Sequence, residues 1–212
     1  MMAVYAVGIT GGSGAPYALR LLRVLLDKGH DVHLVISPAG ETILQVESGI
    51  RVGKTLREKA ATIATAIETP HEARRRVFDP MNLAAPISSG SFACEGMVIV
   101  PCSTGTLGRI ANGISSNLIE RAADVCLKER RRLVVVPRET PLNEIHLRNM
   151  LALRQAGADI LPAMPAFYHR PRTISDMLDM IVGRILDRLG VENSLFYRWG
   201  KDTAPSDVEM ED

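Results

Sequence analysis

Aromatic residues are scarce in this chain: four Phe, four Tyr and one Trp among 212 residues. Single-stranded nucleic acids are held largely by bases stacked on such rings, so that class of partner would find few platforms. An excess of one charge is missing too. Lys and Arg total 25 against 24 Asp and Glu, a formal net charge of +1, which gives no hint of a nucleic-acid partner. No apolar run reaches the roughly 20 residues that a membrane helix requires. The first residues carry no basic region of a secretory signal. The three cysteines, Cys94, Cys102 and Cys126, show no metal-ligand spacing. Their odd count argues against a disulfide framework and suits a reducing compartment. The expectation is a cytoplasmic protein with neither a membrane nor a nucleic-acid partner.

What is present is an alternation of short apolar runs and helical patterns. "YAVGI" breaks into glycines and then into a helical stretch over 15–28. Gly29 ends that stretch, and "DVHLVIS" follows as a second strand. Pro38 is placed for the first turn of a new helix. Residues 51–79 read as a surface helix and a loop. "GMVIVP" (96–101) and "RLVVVP" are buried strands, because their apolar residues run together without alternating. "NLIERAADVCLKER", "NEIHLRNMLALRQAG" and "TISDMLDMIVGRILDRLG" are helices, the last two closed by Gly157 and Gly190, and "ADILPAMP" is a short strand. Strands alternating with helices predict a mainly parallel sheet covered on both faces, a three-layer αβα sandwich. One domain over 1–200 and an acidic tail over 201–212 account for the length.

Ligands in such folds bind beyond the carboxyl ends of the strands. The loops there read "TGGSG" (10–14), "SPAG" (37–40), "PCSTGT" (101–106), "PRETP" (137–141) and "PAMPAFYHRPR" (162–172). They are rich in Ser, Thr, Gly and Arg. The first loop leads into a helix N-terminus, where backbone N–H groups and the helix dipole favour an anion. The glycines alone leave three readings open: a nicotinamide dinucleotide, a flavin mononucleotide, or a tight turn with no ligand. Two features count against the dinucleotide. "HLVIS" ends in Ser37, where an acidic residue should hold the adenosine ribose. The only Tyr-x-x-x-Lys pair, Tyr197 and Lys201, lies beyond the last helix. On "NLIERAADVCLKER", Arg121, Asp124 and Lys128 share one helical face. The plainest reading makes Glu120, Asp124 and Lys128 a solvated i, i+4 ladder.

"GITGGSGAP", "PCSTGT", "NLIERAADVCLKERR", "PRE" and "PAFYHRP", in this order over nearly the whole chain, resemble the flavin prenyltransferases of the UbiX family. Gly12 stands where that family usually has Ala, and Pro38 where Lys is common. The resemblance implies a flavodoxin- and Rossmann-like fold. It also implies transfer of a dimethylallyl group from dimethylallyl monophosphate to N5 and C6 of reduced FMN. The prenylated FMN would serve a UbiD-type decarboxylase. A dodecamer with sites shared between subunits is implied as well, and no metal. The chain shows no Asp-rich cluster of the kind that would hold a diphosphate through Mg²⁺.

Site residues carry over by resemblance. Gly11, Gly12, Ser13, Ser37, Ser103, Thr104, Gly105, Thr106 and Arg138 would contact FMN. Lys128, Glu139, Tyr168 and Arg184, with Arg121 nearby, would receive the substrate phosphate. Ser89 and Glu47 would complete the site from neighbouring loops or subunits. Glu139, Lys128, Ser13 and Trp199 would take part in the chemistry, with Glu139 handling protons and Trp199 facing the allyl cation. Two alternatives are a flavoprotein decarboxylase of the same fold and a non-catalytic FMN carrier. "DPMNLAAP" (79–86) echoes a "PxMNxxMW" motif of the peptidyl-cysteine decarboxylases, but no Trp follows.

Overall fold

The computed structural model describes residues 2–69 and 74–200, so the expected tail at 201–212 lies outside them. The strands are β1 (Val4–Ile9), β2 (Asp31–Ile36), β3 (Arg75–Phe78), β4 (Gly96–Cys102), β5 (Arg132–Pro137) and β6 (Asp159–Ile160). They form one parallel sheet in the order β3-β2-β1-β4-β5-β6. The helices are α1 (Ala15–Asp27), α2 (Pro38–Ser48), α3 (Leu56–Ala66), α4 (Thr104–Ala111), α5 (Leu118–Lys128), α6 (Glu144–Gln155) and α7 (Ile174–Leu189).

Side chains of a strand alternate between faces, and here each face finds its own core. Tyr5, Val7 and Ile9 of β1, with Val98, Val100, Val134 and Val136, pack under α1, α2, α3 and α7. Ala6, Met97, Ile99, Leu133 and Val135 point the other way, under α4, α5 and α6. In α1, Ala18, Leu21, Leu22, Leu25 and Leu26 are all fully buried, the i, i+3, i+4 spacing of a helix lying on a sheet. This is the three-layer sandwich that the alternation of patterns predicts.

Two elements differ from expectation. β3 lies in the stretch read as helix and loop. "RRVF" is an edge strand, paired only with β2. Exposed Arg76 is a common way to blunt a sheet edge, while buried Arg75 donates to the Ala60 carbonyl (2.7 Å), and the two charges conceal the strand pattern. At the other edge, β6 is only two residues long. The expected helix ends hold: Gly190 caps α7 in the left-handed conformation (φ 72°), and Gly157 follows α6 at φ 110°.

Candidate functional site

Strand order reverses between β1 and β4, because β2 and β5 flank this pair on opposite sides. A crevice opens at such a point. Thr10, buried at the end of β1, spans it. Its hydroxyl donates to the Pro101 carbonyl (2.9 Å) and accepts from the Ser103 amide (2.8 Å). The glycines beside it lie close to the neighbouring loops. A Cβ on Gly12 would stand 3.2 Å from the Cys102 carbonyl, and one on Gly11 2.7 Å from the Ala39 Cβ.

A cavity of about 300 Å³ fills the crevice, lined by Gly11, Ser37, Ser103, Thr106, Arg109 and Asn117 among others. Ser37 caps α2 and Ser103 caps α4, each accepting an amide of the first turn. Two helix N-termini therefore open near one cavity, and their first amides lack partners within the helix. The lining holds hydroxyls and a guanidinium but no carboxylate. That donor set fits a phosphate ester. Thr104 and Gly105 form the first turn of α4. Cys102 lies beside these loops, but burial pushes its thiol up to about 12, and Cys126 likewise. Neither is a thiolate nucleophile at neutral pH.

The first glycine turn behaves differently from its sequence. Glu47, on α2, accepts hydrogen bonds from the amides of Gly14 and Ala15 and from the Ser13 hydroxyl. Burial would raise this carboxyl. The Ser13 and amide hydrogen bonds and the charge of Arg138 outweigh it and hold the pKa below the ordinary value. The N-terminus of α1 is thus occupied by the protein's own carboxylate, and the open, donor-lined cavity lies at α2 and α4.

Arg138 and Glu139 follow β5. Glu139 is half-buried and lines a small recess of about 50 Å³ with Pro137, Leu142, Met150, Pro162 and Met164. Pro162 and Met164 also wall the groove that holds Arg184. Tyr168 and Trp199 meet edge to face, their ring centroids 6.0 Å apart. Both are exposed.

The remaining predicted residues form a second group. Arg121 donates to the Ser88 carbonyl (3.2 Å) and pairs with Asp124 (2.7 Å). Lys128 pairs with Glu129 (2.7 Å) and reaches Gly90, beside Ser89. Lys128 precedes β5 and Glu139 follows it, so the six-residue strand separates them by about 20 Å. A single chain does not bring Lys128 and Glu139 together. The solvated ladder is also corrected. Glu120 is fully buried and pairs with Arg109, while Asp124 pairs with Arg121. The periodicity of α5 did not distinguish its outer face from the face turned to α4.

Arg109, Thr10 and Asn117 were not anticipated. The usable signal was spacing, since Arg109 stands three residues after Thr106 on the same face of α4.

Comparison with known proteins extends this picture. A family model described as Flavoprotein matches residues 4–186. The flavin prenyltransferase UbiX of Alkalihalophilus pseudofirmus is 50% identical over 198 residues, 93% of this chain and 96% of that protein. A crystal structure of AnUbiX in complex with FMN and dimethylallyl pyrophosphate superposes with a TM-score of 0.84. It is 39% identical and covers 96% of this chain and 100% of that one. A dodecameric FMN-dependent UbiX-like decarboxylase from Escherichia coli O157:H7 gives a TM-score of 0.79 at 41% identity, covering 92% and 98%.

Proposed function

We propose, starting from the fact that the chain belongs to the Flavoprotein family and within it to the UbiX flavin prenyltransferases, a specific division of labour for its residues. The chain is an FMN-binding transferase. The finer reading is transfer of a dimethylallyl group from dimethylallyl monophosphate to N5 and C6 of reduced FMN. The observation that supports its flavin half is the donor-rich, carboxylate-free cavity at the strand-order switch.

Ser37, Ser103 and Thr106 would hold the ribityl phosphate with the first amides of α2 and α4. Gly11, Gly12, Ser13, Thr104, Gly105 and Arg138 would line the rest of the flavin. When bound, reduced FMN supplies the two nucleophilic positions that receive the five-carbon unit. The reaction breaks one C–O bond, forms one C–N and one C–C bond, and releases phosphate. The N5–H and C6–H bonds break as well; of the two protons released, one goes to the alkene and the other to the departing phosphate.

The chain's own groups suit these tasks. Arg184 and Tyr168 would receive the substrate phosphate from the same chain as Glu139. Ser89, Arg121 and Lys128 would come from another copy, a division that the placement of Lys128 supports. Fixed cations then stabilise the leaving phosphate in place of a metal. Glu139, half-buried at a recess it shares with Arg138 and Thr140, would move protons. The Ser13 hydroxyl, oriented by Glu47, is the second proton-bearing group on the flavin side. Tyr168 and Trp199 offer aromatic faces to a cationic allyl fragment.

A homo-oligomer, in the dodecameric form of the E. coli relative, and delivery of the product to a UbiD-type decarboxylase complete the reading. The test is anaerobic incubation with reduced FMN and dimethylallyl monophosphate, followed by mass analysis of the flavin. A gain of one five-carbon unit is expected. An unchanged flavin with the monophosphate, but a gain with the pyrophosphate, would reassign the substrate. No gain with either would overturn the reading.

A further inference from the structure

Glu120 is the one acidic residue whose side chain is fully buried among the described ion pairs (0% exposed). Charged groups are kept from water only when paired and hydrogen-bonded, and both its oxygens are engaged. Oε1 accepts from Arg109 Nε and Oε2 from the Ser116 amide (2.8 Å). The pairing fixes the Arg109 side chain by its Nε edge while 43% of that side chain stays exposed, at the wall of the crevice cavity.

The rest of the guanidinium is directed as well. Nη2 donates to Thr106 Oγ1 (3.3 Å), which also accepts from Ser103 Oγ (3.1 Å). With two donors on its oxygen, the Thr106 hydroxyl has its own proton left to donate, and Thr106 lines the cavity. Nη1 keeps its protons without a partner among the described residues. It stands 3.5 Å from where a Cβ on Gly105 would be, so glycine at 105 leaves it room. Among the described residues, Arg109 is the one cation in that cavity wall.

We propose that Arg109, positioned by buried Glu120, reads the charge of the ribityl phosphate and makes the site select FMN over riboflavin. This rests on the reading that the cavity holds that phosphate. A neutral hydroxyl in its place would leave the guanidinium and two helix N-termini without the anion they face. Hydrophobic contacts to the ring system are the same for both flavins, so they give no such discrimination.

The test titrates flavin-free full-length protein with FMN and with riboflavin, read by flavin fluorescence. Wild type binds FMN in preference to riboflavin. In Arg109→Gln, FMN affinity falls about 10- to 100-fold, the range of a hydrogen bond to a charged group, while riboflavin affinity stays unchanged. Arg109→Gln leaves the Glu120 carboxylate buried without its cation. The double variant Arg109→Gln/Glu120→Gln removes that burden and should show the same loss of selectivity. Because the pair acts as one unit, the double variant loses no more FMN affinity than Arg109→Gln alone. Glu120→Gln alone loses part of it.

A selective wild type with an equally selective double variant overturns the role of Arg109. Equal losses for FMN and riboflavin make Arg109 a structural residue and overturn it too. Additive losses overturn the positioning role of Glu120. A wild type that binds both flavins alike overturns the underlying reading of the cavity itself.

Discussion

Glu47 Oε2 accepts hydrogen bonds from the amides of both Gly14 (2.9 Å) and Ala15 (2.8 Å). One carboxylate of α2 thereby caps α1 and joins the two helices that flank the first glycine turn. The same carboxylate orients Ser13, so one residue both caps a helix and sets a proposed flavin contact.

The first prediction concerns this cap and pH. The net shift of Glu47 is downward. Its contribution to stability is therefore present above the ordinary carboxyl pKa and is lost as pH falls through the lowered value. Glu47→Gln should cost about 1 kcal/mol near neutral pH, the usual worth of a capping side chain. Thermal melts of the two proteins should converge as pH drops below 4.5. A difference that persists unchanged in acid would show that charge is not what matters.

Glu139→Gln preserves shape but removes the titratable group at this recess. General acid–base catalysis contributes about 10²- to 10⁴-fold, so prenyl transfer should slow at least ~100-fold by the same argument. FMN affinity should stay near wild type, because the phosphate has donors elsewhere. Turnover at the wild-type rate would make Glu139 structural.

The separation of Lys128 from Glu139 along β5 predicts complementation. Lys128→Ala and Glu139→Gln should each be nearly inactive alone. Co-expressed, they should recover about a quarter of wild-type activity, since random assembly gives that share of sites intact groups from both contributing copies. No recovery in verified mixed oligomers would place both residues in a site within one chain.

Prenyl transfer should withstand chelation. Among the described residues no group of three His, Cys, Asp or Glu side chains could hold a metal ion. In the proposed reading, fixed arginines and a lysine would meet the phosphate instead. Activity abolished by EDTA and restored by Mg²⁺ would contradict this.

Gly183→Ala tests the attachment of the C-terminal segment. A Cβ there would stand 2.5 Å from the Phe196 ring, in an otherwise buried contact. Overpacking of this kind costs about 1–3 kcal/mol. The melting temperature should fall, and Trp199, three residues on from Phe196, should report the disturbance by its fluorescence. An unchanged melt would mean that the segment shifts freely.

Apolar runs made the central strands legible, because "YAVGI", "GMVIVP" and "RLVVVP" have no other way to satisfy so many buried side chains. "RRVF" stayed hidden because an edge strand need not be apolar. The Ser, Thr and Gly of the strand-end loops were visible for the reason that makes them useful: they are small donors at helix starts. Glu120 was misread because a buried charge looks like a solvated one until its partner is known. That partner, Arg109, lies eleven residues away on another helix. Glu47 carried no local pattern at all, since its work is done across a gap of more than thirty residues.

The hydroxyl of Thr10 sets the distance between two loops before any ligand arrives. Its bonds to Pro101 and Ser103 tie the end of β1 to the end of β4, so the walls of the crevice are ordered during folding. The entropy of arranging them is then not charged against association. In the proposed reading, a flavin would meet walls already arranged at this end of the sheet, and its tightness would be decided by how slowly it leaves.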